Sequence, residues 1–181
     1  MDNIFQPMPK IARYSRLCTI TEKIDGTNAS IWIDDLATEF RTASRTQWIT
    51  PEKDNMGFSR WAHEHKEELM QLGPGHHFGE WWGLGIQRKY GQTQKHFSLF
   101  NTHLWSVTRP ACCDVVPVLY EGMFGDTAVE GALDLLLANG SMAAPGFMNP
   151  EGIIIYHQAA NLYLKKTLVG DEKPKGSTEA A

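Results

Sequence analysis

Apolar and polar residues alternate over many short stretches of this chain, and that two-residue period predicts strands. In residues 30–34, Ile31 and Ile33 fall on one side and Trp32 on the other, as in a half-buried strand. The same reading, with apolar runs bounded by Gly, Pro, Asn or Asp, gives strands at 17–20, 78–82, 97–100, 116–120, 153–157 and 162–164. Two segments carry helical spacing instead. Residues 59–72 hold Trp61, Ala62, Leu69, Met70 and Leu72, with charges on the other side and a stop at Gly73-Pro74. Residues 126–139 place Val129, Leu133, Leu136 and Leu137 a helical turn apart, open on Asp126 as a plausible N-cap and end at Gly140. Loops are expected at 50–55, 73–75, 108–114 and 141–149. Strands dominate, and helices are too few for a regular βαβ repeat. The pattern predicts an α+β fold of mainly antiparallel sheets with flanking helices. There is no internal repeat; residues 1–169 read as one domain and the polar segment 170–181 as a flexible tail.

Composition narrows the class. The chain has 181 residues, 42% hydrophobic, 21% charged, with a formal net charge of -4. A chain of this size buries roughly 70% of its unfolded surface and needs no staple to fold. Cys18, Cys112 and Cys113 are odd in number and include an adjacent pair, unlike a secreted disulfide framework, so a reducing, cytoplasmic setting is expected. The longest apolar stretches, 135–138 and 153–156, fall far short of the ~20 residues that cross a bilayer, and no targeting signal opens the chain. No membrane partner is expected. The acidic balance argues against nucleic-acid binding by the whole surface. Basic residues gather at 88–103 and 165–175, either as ordinary solvated faces or as one local groove.

Candidate chemistry centres on Glu22-Lys23-Ile24-Asp25-Gly26-Thr27-Asn28, between two expected strands. Asp-Gly favours hairpin turns, so the motif has a plain structural reading. A lysine there can also be a nucleophile if its surroundings favour the free amine. The stretch 78–83 puts Glu80 on a strand between Gly79 and Gly83, where backbone can approach a ligand closely. Phe100 ends a strand and could stack on a flat base or simply pack. Glu151 stands at the mouth of an apolar strand, and the paired cations Lys165 and Lys166 end the next one. Asp25 suits a metal or a turn equally. His63-Glu64-His65 falls two apart on a helix, which does not share a face, and Cys112-Cys113 lacks partners at zinc spacing. His76-His77 reads as a solvated turn, and Trp81 and Trp82 as packing.

In this order the residues resemble the covalent nucleotidyltransferase superfamily of polynucleotide ligases and capping enzymes. The wording around Lys23, Glu80 and Glu151 is most similar to ATP-dependent RNA ligases of the phage type, over residues 21–167. The resemblance implies an ATP-grasp-like ligase adenylation domain that joins RNA ends. Lys23 would attack the α-phosphorus of ATP and carry AMP, then pass it to an RNA 5′-phosphate for displacement by a 3′-hydroxyl. Glu80 and Arg45 would hold the ribose, with Arg41 as the alternative to Arg45, and Phe100 would stack on adenine. Backbone groups of Glu22 and Ile24 would read the adenine edge. Lys165 and Lys166 would face the phosphates, although a straight strand would turn only one of them inward. Glu151, with Glu80, would hold Mg²⁺ (or Mn²⁺). RNA is the implied partner, with DNA as the alternative, in the cytoplasm of a cell or of a phage host. Ligases of this superfamily carry a further C-terminal domain, and too few residues follow Lys166 to form one. A minimal DNA ligase and a catalytically silent nucleotide- or RNA-binding module are the competing readings.

Overall fold

The computed structural model describes residues 5–172. Two sheets organise the chain. The first has four strands in the order β10-β9-β1-β8: β1 (Leu17–Lys23), β8 (Val118–Met123), β9 (Gly152–His157) and β10 (Leu162–Thr167). The second has six, in the order β4-β3-β2-β5-β6-β7: β2 (Thr27–Ile33), β3 (Phe40–Ser44), β4 (Trp48–Ile49), β5 (Gly75–Gly83), β6 (Lys95–Leu99) and β7 (Asp114–Val115). All pairings are antiparallel except β6 with β7. The expected α+β class is what the chain adopts.

Each sheet buries one face. Helix α4 (Asp126–Asn139) lays Ala132 and Leu136 on the four-stranded sheet against Cys18, Ile20, Ile153 and Ile155. The six-stranded sheet packs Ile31, Ile33, Trp81, Phe97 and Leu99 against Phe58, Ala62 and Leu69. Those last residues come from α1 (Phe58–Glu64) and α2 (Lys66–Leu69), followed by a 3-10 turn at Met70–Leu72. Where the sheets approach each other, Ile24, Trp82, Tyr90, Val116 and Ala144 form a third cluster.

Several expectations change in detail. The single helix expected at 59–72 is broken at His65 (φ −103°, ψ 18°), and the rings of His63 and His65 bond the carbonyls of Ser59 and Trp61. Asp126 is the first helical residue and not the cap; Gly125 caps, while Asp126 accepts from the Tyr14 hydroxyl at 2.7 Å. The strand expected at 116–120 starts only at Val118, because Val116 and Pro117 carry the chain from β7 in one sheet to β8 in the other. Asp25-Gly26 is likewise no hairpin, since β1 and β2 belong to different sheets. Strands β3 and β4 and the one-turn helix α3 (Thr102–Trp105) had no expectation attached to them. Asp171, in the expected tail, accepts from the Thr167 N–H at 2.9 Å, and residues 173–181 lie outside the described residues. Among the described residues, no helix is long and apolar enough to cross a membrane.

Candidate active site

Lys23 is the last residue of β1, and the chain leaves the four-stranded sheet there to enter the six-stranded one. Its Nζ lies 2.5 Å from Oε2 of Glu151, which is itself buried. Backbone geometry brings the two together. Gly152, directly after Glu151, pairs with both Lys23 and Thr167 and adopts φ +153°. A Cβ there would lie 2.2 Å from the Lys166 carbonyl oxygen, so only glycine fits between the strands.

Glu80 reaches the same place from the other sheet. Its Oε1 accepts from the Gly26 N–H at 3.0 Å and its Oε2 from Asn28 Nδ2 at 2.8 Å. Gly26 must be glycine, because a Cβ would meet the Trp81 carbonyl oxygen at 2.4 Å. Burial pushes the Glu80 carboxyl up to about 7, against the opposing pull of the Asn28 and Gly26 hydrogen bonds and of the Lys23 charge; Glu151 pushes it further up. Glu80 thus bonds the crossover three residues after Lys23 and feels the charges of both Lys23 and Glu151.

Contacts from a distant loop hold the Lys23 turn. The Asp25 N–H donates to the Tyr90 hydroxyl at 2.8 Å, and Arg88 Nε donates to Asp25 Oδ2 at 3.1 Å. Arg88 also donates to the Asn149 carbonyl, two residues before Glu151. The side chain of Glu22 turns to the α4 side and accepts from Ser141 Oγ and from the N–H groups of Met142 and Ala143 at 2.6–2.9 Å. Its own N–H donates to the Pro117 carbonyl. Ile24 is buried in the cluster between the sheets.

The remaining candidates spread outward. Phe100 follows β6, donates its N–H to the Phe78 carbonyl and is 39% exposed, so it is an open ring and not core. Arg45 lies in the tight turn between β3 and β4 and makes no hydrogen bond or ion pair among the described residues. Continuing the register from Ala29 opposite Ser44 sets Arg45 across from Asn28, whereas Arg41 stands across from Trp32 and pairs with Glu39. Strand β10 runs in unbroken register with β9, so Lys165 and Lys166 take opposite sides. Lys165, level with Ile154 and Thr21, is on the Lys23 side; Lys166 is on the α4 side, 3.9 Å from Asp171. The sheet does not bring both lysines into one pocket.

Among the described residues, no group of three or more His, Cys, Asp or Glu side chains forms a metal cage. The buried Glu151 carboxylate is still a fitting oxygen ligand for Mg²⁺ or Mn²⁺, which keep several waters and take further oxygens from phosphate. Asn28, Arg88 and Tyr90 had no role assigned from sequence. Asn28 carried a faint signal, since asparagine is depleted in strands; Arg88 and Tyr90 come from a distant loop and carried none.

Residues 16–167 match the family model described as RNA ligase. The chain belongs to the RNA ligase family. Solved RNA ligases of Naegleria gruberi share its fold. One variant, with ATP and Mn, superposes with a TM-score of 0.62 at 17% identity, over 85% of this chain and 50% of that one. Another, with AMP and Mn, gives 0.61 at 16% identity, over 85% and 50%. An apo variant gives 0.60 at 18% identity, over 85% and 50%. This RNA ligase family member therefore spans about half the length of the solved ligases it matches. No curated protein matches its sequence.

Proposed function

We propose that this chain is the adenylation unit of an ATP-dependent RNA ligase, with residues 1–169 as its catalytic domain. The observation that carries the reading is Lys23 Nζ at 2.5 Å from the buried Glu151 carboxylate, with Glu80 of the other sheet bonded to the crossover that follows Lys23. Glu151 accepts the ammonium proton, and the freed Lys23 amine attacks the α-phosphorus of ATP. The N–P bond forms, the bond to pyrophosphate breaks, and AMP stays on Lys23 as a phosphoramidate. An RNA 5′-phosphate then takes the AMP, and a 3′-hydroxyl displaces it to form the phosphodiester.

Lys165, on the Lys23 side, offsets the charge that develops on the phosphates. Glu80 and Arg45 meet the ribose, Phe100 the adenine ring, and backbone groups of Glu22 and Ile24 its edge. Glu151, with Glu80, would hold Mg²⁺ or Mn²⁺, which supplies charge neutralisation at the phosphates when bound. Solved relatives with ATP and Mn support the nucleotide and the metal. The three free cysteines fit a reducing, cytoplasmic setting, in which RNA end repair is the fitting task.

The test incubates the chain with ATP and Mn²⁺ or Mg²⁺ and either RNA with 5′-phosphate and 3′-hydroxyl ends or nicked duplex DNA. Sealed or 5′-adenylylated RNA is expected, falling at least about 100-fold with Glu151→Ala. Products on DNA alone, or on neither substrate, would overturn the RNA ligase reading.

A further inference from the structure

The side of the six-stranded sheet that carries Glu80 continues past the site as an open aromatic surface. Moving back along β5 from Glu80, the next residues on that side are Phe78 and His76, each about 7 Å further on. Trp32 stands beside His76 in register, and Arg41 beside Trp32. Trp48, from β4, completes the group. Phe78 is 54% exposed and Trp48 52%.

The rings form one connected array. His76 lies 4.1 Å from Phe78 and is stacked on Trp48 at 6.0 Å with 19° between planes. Trp32 meets Trp48 edge-on at 6.3 Å. The Arg41 guanidinium sits 5.4 Å from the Trp32 ring and 5.9 Å from the Trp48 ring. Cross-strand aromatic pairing explains these contacts, and it still leaves about half of the Phe78 and Trp48 surface open. Burial, with the neighbouring His77 charge, holds the His76 imidazole below its ordinary value, so this ring is neutral near pH 7.

We propose that Trp32, Trp48, His76 and Phe78, with Arg41, form a stacking platform for bases of single-stranded RNA leading into the Glu80 site. The proposal rests on the RNA ligase reading above for the strand's destination. Three features select this occupant. Unpaired bases stack on aromatic rings and on guanidinium planes without regard to sequence. Arg41 and Arg45 set positive charge along the same edge, where phosphates would run; the exposed Arg41–Glu39 pair is too weak in water to withhold the guanidinium. The face is also continuous with the site that would hold the strand's reactive end. Aromatic residues and arginine are enriched at protein interfaces too, so continuity with the Glu80 site is what favours RNA over a protein partner.

Binding of a short fluorescein-labelled single-stranded RNA to the full chain, read by anisotropy without ATP, tests the platform. Trp48→Ala should weaken binding about 10-fold or more, Trp48→Phe should restore most of it, and Arg41→Gln should lower the salt dependence by about one ion. Circular dichroism confirms that each variant is folded. Unaltered affinity in folded Trp48→Ala, or no RNA binding by the wild-type chain, would overturn the platform. So would a wild-type dimer that Trp48→Ala dissociates while RNA affinity stays the same, which would make the face a contact between copies. Covalent labelling of the wild-type chain by ATP, run in parallel, decides the ligase reading separately: labelling with unchanged RNA binding in the variant sinks the platform alone.

Discussion

Two buried carboxylates, Glu22 beside Lys23 in sequence and Glu80 on the crossover that follows it, illustrate how one residue type does opposite work. Glu22 is surrounded by donors and accepts three hydrogen bonds from residues 141–143, so it clamps the loop that follows α4. Glu22→Ala leaves those donors unsatisfied and should cost about 3 kcal/mol, lowering Tm by roughly 6–12 °C in thermal denaturation. Glu80 is buried with less compensation, and its carboxyl is pushed up to about 7 from an ordinary 4.5. The folded chain therefore binds more protons than the unfolded chain between those two values. Stability should fall as pH rises through that window, by at most about 3 kcal/mol, and Glu80→Gln should flatten this part of a Tm-against-pH curve measured without nucleotide or metal. A steeper curve in the variant would contradict the assignment. Lys23 and Glu151 were legible as candidates from residue type and order. Their direct contact was not, because it depends on the exceptional backbone of Gly152.

At the scale of elements, patterning worked where one face is plainly buried. Helix α4 runs over the residues its spacing predicts and β9 follows the two-residue period, whereas β5 is buried at every residue from Gly79 to Gly83. Strand β3 escaped notice because its buried positions include Thr42, a polar residue satisfied by Ser59 Oγ at 2.7 Å and by the Ile49 carbonyl. The break at His65 escaped for a related reason: local ring-to-carbonyl bonds override a helical spacing that is otherwise continuous. Register also decides what spacing left open between Lys165 and Lys166. Lys165→Ala should reduce adenylylation about 10-fold or more, and Lys166→Ala much less, in a time course of label incorporation. Equal losses would mean that β10 bends. Gly152→Ala places a Cβ against the β10 backbone and should destabilise the chain by about 2 kcal/mol or more, read as a lower denaturation midpoint.

On the scale of the whole molecule, neither sheet holds the site alone. Lys23 and Glu151 come from the four-stranded sheet and Glu80 from the six-stranded one, and the Asp25-Gly26 crossover joins them. Arg88 and Tyr90 brace that crossover from a loop more than sixty residues away, a contact no local pattern encodes. The ordered motifs thus pointed to the family, while the faces that the candidate residues share emerged only from topology. The open aromatic side of the larger sheet belongs to the same scale, since it gathers β2, β3, β4 and β5 into one surface. Adenylation of Lys23 is the step on which every later one depends. Incubation with α-labelled ATP and Mn²⁺, followed by denaturing electrophoresis, should label the wild-type chain and leave Lys23→Ala unlabelled. Equal labelling of both chains, or label on neither, would contradict Lys23 as the nucleophile.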